Sequence, residues 1–433
     1  MNKIGLVAGF ACLASLAFGQ GGLTPPGAPA PSMKTLEQVE PRIDVGTLVG
    51  DMSNSVVIST AGSYYLSGNL TVVNTNGIFI ASSDVSLDLN GFTLSAQSGA
   101  ASRGIFIQEG LERISISNGR VKGFEYGIFS SEFAGWAAED CRFERLMVSG
   151  CSELGIGAGD AARFVHCSVD DSGEGFSCGE NAVLVSCVAR NNQYGGISTK
   201  GRSVLTDCLA ENNGYTGILC GGECILSGCL AYGNKGFYGI LTHNESTLNG
   251  CVAKNNHGNG IDVGVGSTLR GCIATGNASV GSGFHSCGIN ASSGSTVIGC
   301  VSSYNSKTNA TESYEGIGIR CLEDSLIKDC QVDHNSGSGI WVESDCRVEG
   351  NSCNNNGFNG TAAGIYVSGH DCRIENNTVT DNDWGIQVVN NGNFVVKNTA
   401  SGNTTNYAVH VGSHLGAVKS SPVGADAWDN FEF

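Results

Sequence analysis

From residue 184 onward, apolar residues recur in columns at a fixed period rather than at helical spacing. An aliphatic side chain stands at Leu184, Leu205, Leu226, Leu248, Leu269, Val297, Ile327, Val348, Ile374 and Val395. Three residues after each comes a small side chain: Cys187, Cys208, Cys229, Cys251, Cys272, Cys300 and Cys330, then Asn351, Asn377 and Asn398. Five residues further on asparagine recurs without a gap: Asn192, Asn213, Asn234, Asn256, Asn277, Asn305, Asn335, Asn356, Asn382 and Asn403. Most units then carry Gly-Ile, as at Gly196-Ile197, Gly217-Ile218, Gly260-Ile261, Gly339-Ile340 and Gly385-Ile386. The first five cysteines are 21, 21, 22 and 21 residues apart. A unit this short cannot enclose its own core, so it must stack on its neighbours. Asn and Gly tolerate left-handed backbone and close tight turns, so the columns describe short strands separated by corners. Helical solenoids need repeats of about 33 residues or more.

The pattern therefore predicts an all-β chain folded as a single parallel β-helix of about 14 coils, each strand pairing with its equivalent about 4.8 Å along the axis. Equivalent side chains must then stack, and the asparagines form a ladder that satisfies polar groups at a corner. Counting back from Cys167 places the small-residue column at Leu146, Asn118 and Asn90. The columns resemble those of the pectate-lyase-like superfamily of right-handed β-helices, particularly secreted bacterial repeat proteins. The segments PSMKTLEQVEPR (31–42), AGSYYL (61–66) and VSLDLNGF (85–92) are similar too. This resemblance covers residues 31–433 and implies right-handed winding; it is specific for fold and not for activity.

Around the stack, residues 1–19 read as a signal peptide, with Lys3, an apolar run over 4–18 and Ala17-Phe18-Gly19 at the cleavage positions. That run is short of the about 20 residues a membrane span needs. Export is expected, to the medium, the periplasm or the cell surface. Residues 20–31 form a Pro/Gly-rich linker, and 32–84 a cap with the first strands. Within that cap, Met33, Leu36 and Val39 are spaced for a short helix that Ser32 starts and Pro41 ends. Repeats fill 85–411, and residues 412–433, with Trp428, Phe431 and Phe433, form an aromatic C-terminal cap.

Export changes what the cysteines mean. Losing Cys12 leaves 18 of the 19, an even number that would suggest disulfides in an oxidising compartment. Stacked neighbours, however, sit about 4.8 Å apart where a disulfide wants Cβ atoms about 3.8 Å apart. Buried free thiols are expected in the ladder, with Cys346–Cys372 and Cys220–Cys224 as candidate bridges off it. No Cys-x-x-Cys supports a metal site.

A formal charge of -17 argues against a nucleic-acid partner. It also disfavours polyanion steering unless calcium bridges the two. The resemblance implies specific catalytic patterns. Of those carried by polygalacturonase-like hydrolases, only Asp170-Asp171 and His257-Gly258 have counterparts. Pectate-lyase-like enzymes use acidic calcium ligands and an arginine base, which scattered residues could supply.

Alternation places the residue after each isoleucine on the outer face of its strand. That row runs Phe106, Phe129, Gly157, Ser177, Ser198, Leu219, Leu241, Asp262, Asn290, Arg320, Trp341, Tyr366, Gln387 and His410. Its second half suits a sugar, offering aromatic faces beside hydrogen-bonding groups. Asn290, Trp341, Tyr366 and Gln387 are the candidate substrate contacts. Asp262 and Arg320, and less directly His243 and Glu343, are the acid/base candidates. The insertions over 278–287 and 306–315 leave one edge of this face, where repeat proteins often build sites. The expected partner is a polysaccharide, bound along one strand face without evident catalysis. The alternative is a calcium-assisted lyase, epimerase or hydrolase acting on an acidic glycan.

Overall fold

The computed structural model describes residues 42–97, 103–130, 138–279, 286–307, 316–357, 360 and 362–433. The expected signal peptide, linker and capping helix lie outside these residues. Each regular coil contributes two short strands to a 32-stranded parallel sheet and one strand to a 16-stranded parallel sheet. Val183–Val185, Val188–Arg190 and Ile197–Thr199 make up one such coil. The 16-stranded sheet runs from Asn54–Ile58 to Thr405–Val409, a stack about 70 Å long at about 4.8 Å per strand. The one helical element among the described residues is a 3-10 turn, Val45–Thr47, capped by Asp44 Oδ1 accepting from the Gly46 N–H at 2.9 Å.

Strand register matches the sequence columns. Leu184 lies opposite Leu205, Leu226 and Leu248 in turn, Ala189 opposite Ala210, Ala231 and Ala253, and Ile197 opposite Ile218, Ile240 and Ile261. These columns are fully buried and form one continuous core. The earlier coils fill the interior with aromatics: Phe143 stacks on Phe164 at 4.8 Å, and Phe176 meets Phe164 edge-on.

Corner chemistry holds the coils in place. The ten asparagines are joined by nine side-chain bonds of 2.9–3.1 Å, each Nδ2 donating to the Oδ1 of the next coil. Each Oδ1 also accepts the main-chain N–H of the coil before it, as from Ser172 and Asn192. A second ladder runs from Asn351 through Asn377 and Asn398 to Asn430, which the C-terminal strand Asn430–Glu432 brings back against the stack. A third corner column mixes side chains: the N–H groups of Ala182, Ser203, Cys224, Ser246, Ser295, Cys346 and Cys372 bond to Ser203, Cys224, Ser246, Ser267, Ser325, Cys372 and Asn393 respectively. Hydroxyl, thiol and amide do the same work there.

All 18 cysteines from Cys141 to Cys372 are buried and free, the candidate pairs Cys220–Cys224 and Cys346–Cys372 included. Ladder thiols donate to main-chain carbonyls of the preceding coil, as Cys208 to Leu184 and Cys229 to Leu205. Burial pushes the Cys141 thiol up to about 12 and raises Cys178 well above its ordinary value.

Two column assignments shift. Leu146 lies opposite Gly119, because Asn118 takes the left-handed corner (φ 58°) just before the column. In the last coil Tyr407 replaces the isoleucine and pairs with Ile386, so Ala408 continues the outward row and His410 lies beyond it. The strand Ala278–Ser279 pairs with Ser306–Lys307, so the two insertions leave the same edge on successive coils.

Candidate functional site

The 16-stranded sheet sets Asp262, Asn290, Arg320, Trp341, Tyr366 and Gln387 side by side on six successive strands. All six are half-buried while the residues flanking them, such as Ile261 and Val263, are in the core. Pleating makes this inevitable: on Asn259–Val263 the side chains on either side of Asp262 must point inward.

The row is already organised by its own contacts. Asp262 Oδ2 accepts from Asn259 Nδ2 at 2.6 Å and from Asn290 Nδ2 at 3.0 Å. Asn290 Oδ1 in turn accepts from Arg320 at 3.2 Å. One amide thus links the carboxylate and the guanidinium, filling the gap in which a sugar ring between them would have to sit. Arg320 also approaches Glu343 at 3.5 Å and lies over the Trp341 ring at 4.5 Å. Tyr366 runs parallel to Trp341, at 6.5 Å between centroids. Trp341 is therefore flanked by Arg320 on one strand and Tyr366 on the next. Its Nε1–H is buried and has no partner among the described residues, as is Gln387 Oε1.

Burial raises the Asp262 pKa; the Asn290 and Asn259 amides and the Arg320 charge oppose that shift without cancelling it. Only Oδ2 is engaged, and Oδ1 reaches the surface of the described structure. His243 is exposed in the turn after Tyr238–Thr242, and its imidazole bonds to none of the described residues. Glu343 joins the site only through Arg320. Asn259, which fixes Asp262, is a member of the site that the outward-row pattern does not reveal, because it sits three residues earlier on the same strand.

These residues do not fit calcium. The Asp262 carboxylate is held by two amide donors, and the next two strands bring an amide, Asn290, and a guanidinium, Arg320, where a second acidic ligand would be needed. No cluster of three or more His, Cys, Asp or Glu side chains able to hold a metal occurs among the described residues.

Stacked parallel coils, asparagine corners and an outward polar-aromatic row define a right-handed parallel β-helix protein. The chain belongs to the family described as "Right handed beta helix region", whose model matches residues 154–302 and 280–405. No curated protein matches the chain. Among solved structures it is similar to the periplasmic alginate epimerase AlgG, with 12% identity and a TM-score of 0.47 over 65% of this chain and 78% of that one. It is similar to the A-module of the mannuronan C-5 epimerase AlgE4 of Azotobacter vinelandii, with 13% identity and a TM-score of 0.33 over 82% and 90%. The Dettilon tailspike protein matches at 13% identity and a TM-score of 0.32 over 75% and 59%. These likenesses concern the fold. No helix among the described residues is long and apolar enough to cross a membrane.

Proposed function

We propose that this chain is an exported β-helix protein that binds a polysaccharide laid along the face from Asp262 to Gln387. The observation that carries the reading is the preorganised row itself. Five successive strands present a carboxylate, an amide, a guanidinium and two parallel rings, fixed by contacts to one another rather than by loops. A strand step of about 4.8 Å is close to the length of one sugar unit, so successive residues of a glycan meet successive coils. Two of the Arg320 donors are directed at Asn290 and Glu343. A guanidinium carries five N–H groups, and those remaining suit the carboxylate of an acidic sugar. Trp341 serves this role by holding the guanidinium flat.

A glycan array, followed by titration of the glycans that bind, tests the reading. Arg320→Ala is expected to remove any preference for acidic over neutral chains. Trp341→Ala is expected to weaken binding about fivefold, the about 1 kcal/mol of an exposed cation–π contact. Unchanged affinity of both variants for every glycan that the parent binds would place the site elsewhere. The raised pKa and surface-reaching Oδ1 of Asp262 favour a second reading, in which the same face performs lyase or epimerase chemistry with Asp262 as the proton-transfer group. Asp262→Asn would then abolish turnover, followed as unsaturated-product absorbance or as an epimerised product. In a protein that only binds, it would leave affinity nearly unchanged.

A further inference from the structure

Several coils before Asp262, a groove of about 350 Å³ opens on the edge of the same sheet, lined by Glu174, Tyr194, Gly195, Ser198, Tyr215 and Leu219 among others. Its origin is local. Register places Gly195 between Glu174 and Thr216 on adjacent strands, and the missing side chain leaves a recess between its two neighbours. A Cβ at Gly195 would meet nothing closer than the Thr216 carbonyl at 3.7 Å and Glu174 Oε1 at 3.8 Å. Backbone crowding therefore does not require glycine here, as it does at Gly196 and Gly217. Two rings wall the recess: Tyr194 and Tyr215 are 46% and 55% exposed, 6.3 Å apart and tilted by 56° to each other. They form an open V instead of a closed stack.

Glu174 is the anomaly. Its carboxylate is half-buried and makes no hydrogen bond or ion pair with the described residues, whereas Arg190, Arg202 and Arg320 each have an acidic partner. Desolvation alone raises its pKa, with no cation acting on it. A carboxylate withdrawn from water without a counter-charge is costly. Beside two exposed π faces, it is matched by one chemistry, a cation that also presents C–H surface to the rings. An anionic ligand would be repelled, and a neutral one would leave the charge uncompensated.

We propose that the groove formed by Glu174, Tyr194 and Tyr215 is a binding site for an organic ammonium group, with Glu174 supplying the counter-charge and the two tyrosines the ring faces. Such a group has two sources, the free amine of an amino sugar in a deacetylated glycan and a choline-type quaternary ammonium. The site is separate from the Asp262–Gln387 row and does not depend on it.

Calorimetric titration of the full chain tests the proposal with four probes: choline, its neutral isostere 3,3-dimethylbutan-1-ol, a glucosamine oligosaccharide and the N-acetylated form of that oligosaccharide. At least one cation is expected to bind, with its neutral counterpart roughly tenfold weaker or worse. Glu174→Gln should weaken the cation by roughly tenfold while leaving the thermal transition in place. Gly195→Leu should fill the recess and abolish binding. If that variant loses its thermal transition, the isosteric Glu174→Gln decides alone. Choline without glucosamine identifies a quaternary headgroup as the ligand, and the reverse identifies an amino sugar. Binding of neither cation, equal binding of a cation and its neutral counterpart, or unchanged affinity in Glu174→Gln would each overturn the assignment.

Discussion

Replacing Asn256 with leucine tests whether the asparagine column holds the stack or merely favours its turns. Asn256 is 1% exposed and lies in mid-ladder. Its Oδ1 accepts the Asn234 N–H at 3.0 Å and Asn234 Nδ2 at 2.9 Å. Its Nδ2 donates to the Ala231 carbonyl and to Asn277 Oδ1, both at 3.0 Å. Leucine leaves two buried donors of Asn234 without an acceptor, at about 1–3 kcal/mol each. Asn277 Oδ1 keeps the Asn256 main-chain N–H, so the acceptor side loses less. Burying leucine in place of an amide offsets about 1–2 kcal/mol, for a net loss of about 2.5 kcal/mol at the middle of these ranges. Urea denaturation measures the total, with the exposed neighbour Lys254→Ala as a control expected within about 0.5 kcal/mol of the parent. Because long repeat arrays depart from two-state unfolding, hydrogen exchange should accompany it. Protection should fall most in the coils of Asn234, Asn256 and Asn277 and recover with distance along the axis. Coincident midpoints for Asn256→Leu and Lys254→Ala would show that the ladder contributes nothing beyond turn preference.

Three further outcomes are expected. Gly217→Ala sets a Cβ 2.5 Å from Asn234 Nδ2 and 2.7 Å from the Gly239 carbonyl, so it should cost more than about 1 kcal/mol, the ordinary penalty range of a surface change being about 0.5 kcal/mol; an unchanged melting temperature would contradict the packing described. Cysteines 141–372 should resist a thiol reagent in the folded chain and react on denaturation, since all 18 are buried beyond a reagent's reach; rapid labelling of several sites under native conditions would refute this. Asp262 has a raised pKa when folded, so its favourable contribution is complete below the unfolded pKa and is lost as pH rises through the folded one. Asp262→Asn should therefore match the parent near pH 3 and melt at a higher temperature near pH 7; a lower melting temperature at pH 7 would make Asp262 structural.

How far the sequence could be read depended on whether a position repeats. Ladder asparagines and aliphatic columns were legible because in-register stacking demands the same residue in every coil. Asn430 escaped because it closes the second ladder from the tail, 32 residues after Asn398 and off the period. The Ser/Cys/Asn corner escaped because a hydroxyl, a thiol and an amide can each accept the same N–H, so no single residue type marks it. The last member of the outward row, Ala408, lies two positions before the expected His410 because the last coil carries Asn406-Tyr407 where its predecessor carries Gly385-Ile386. In the outward row, sequence identified the residues but not their mutual contacts. That Asn290 bridges Asp262 and Arg320, and that Trp341 is flanked, depends on side-chain directions that spacing does not encode. The Glu174 groove arises from a missing side chain at Gly195, which in a chain with 64 glycines carries no signal of its own.

The asparagine ladder has a direction. Every amide from Asn192 to Asn382 gives its proton toward the C-terminal neighbour and receives from the N-terminal one, so each coil waits for an acceptor that only the following coil brings. A chain emerging N-terminus first would thus grow from an advancing front, each completed turn templating its successor. The front is also extinguished from within. Asn403 turns its Nδ2 onto Asn406 of its own turn at 3.0 Å, and Asn430 turns its own back onto the Val395 and Gly416 carbonyls. Neither terminal amide offers a donor to another molecule, so neither asparagine ladder can be carried on into a second copy.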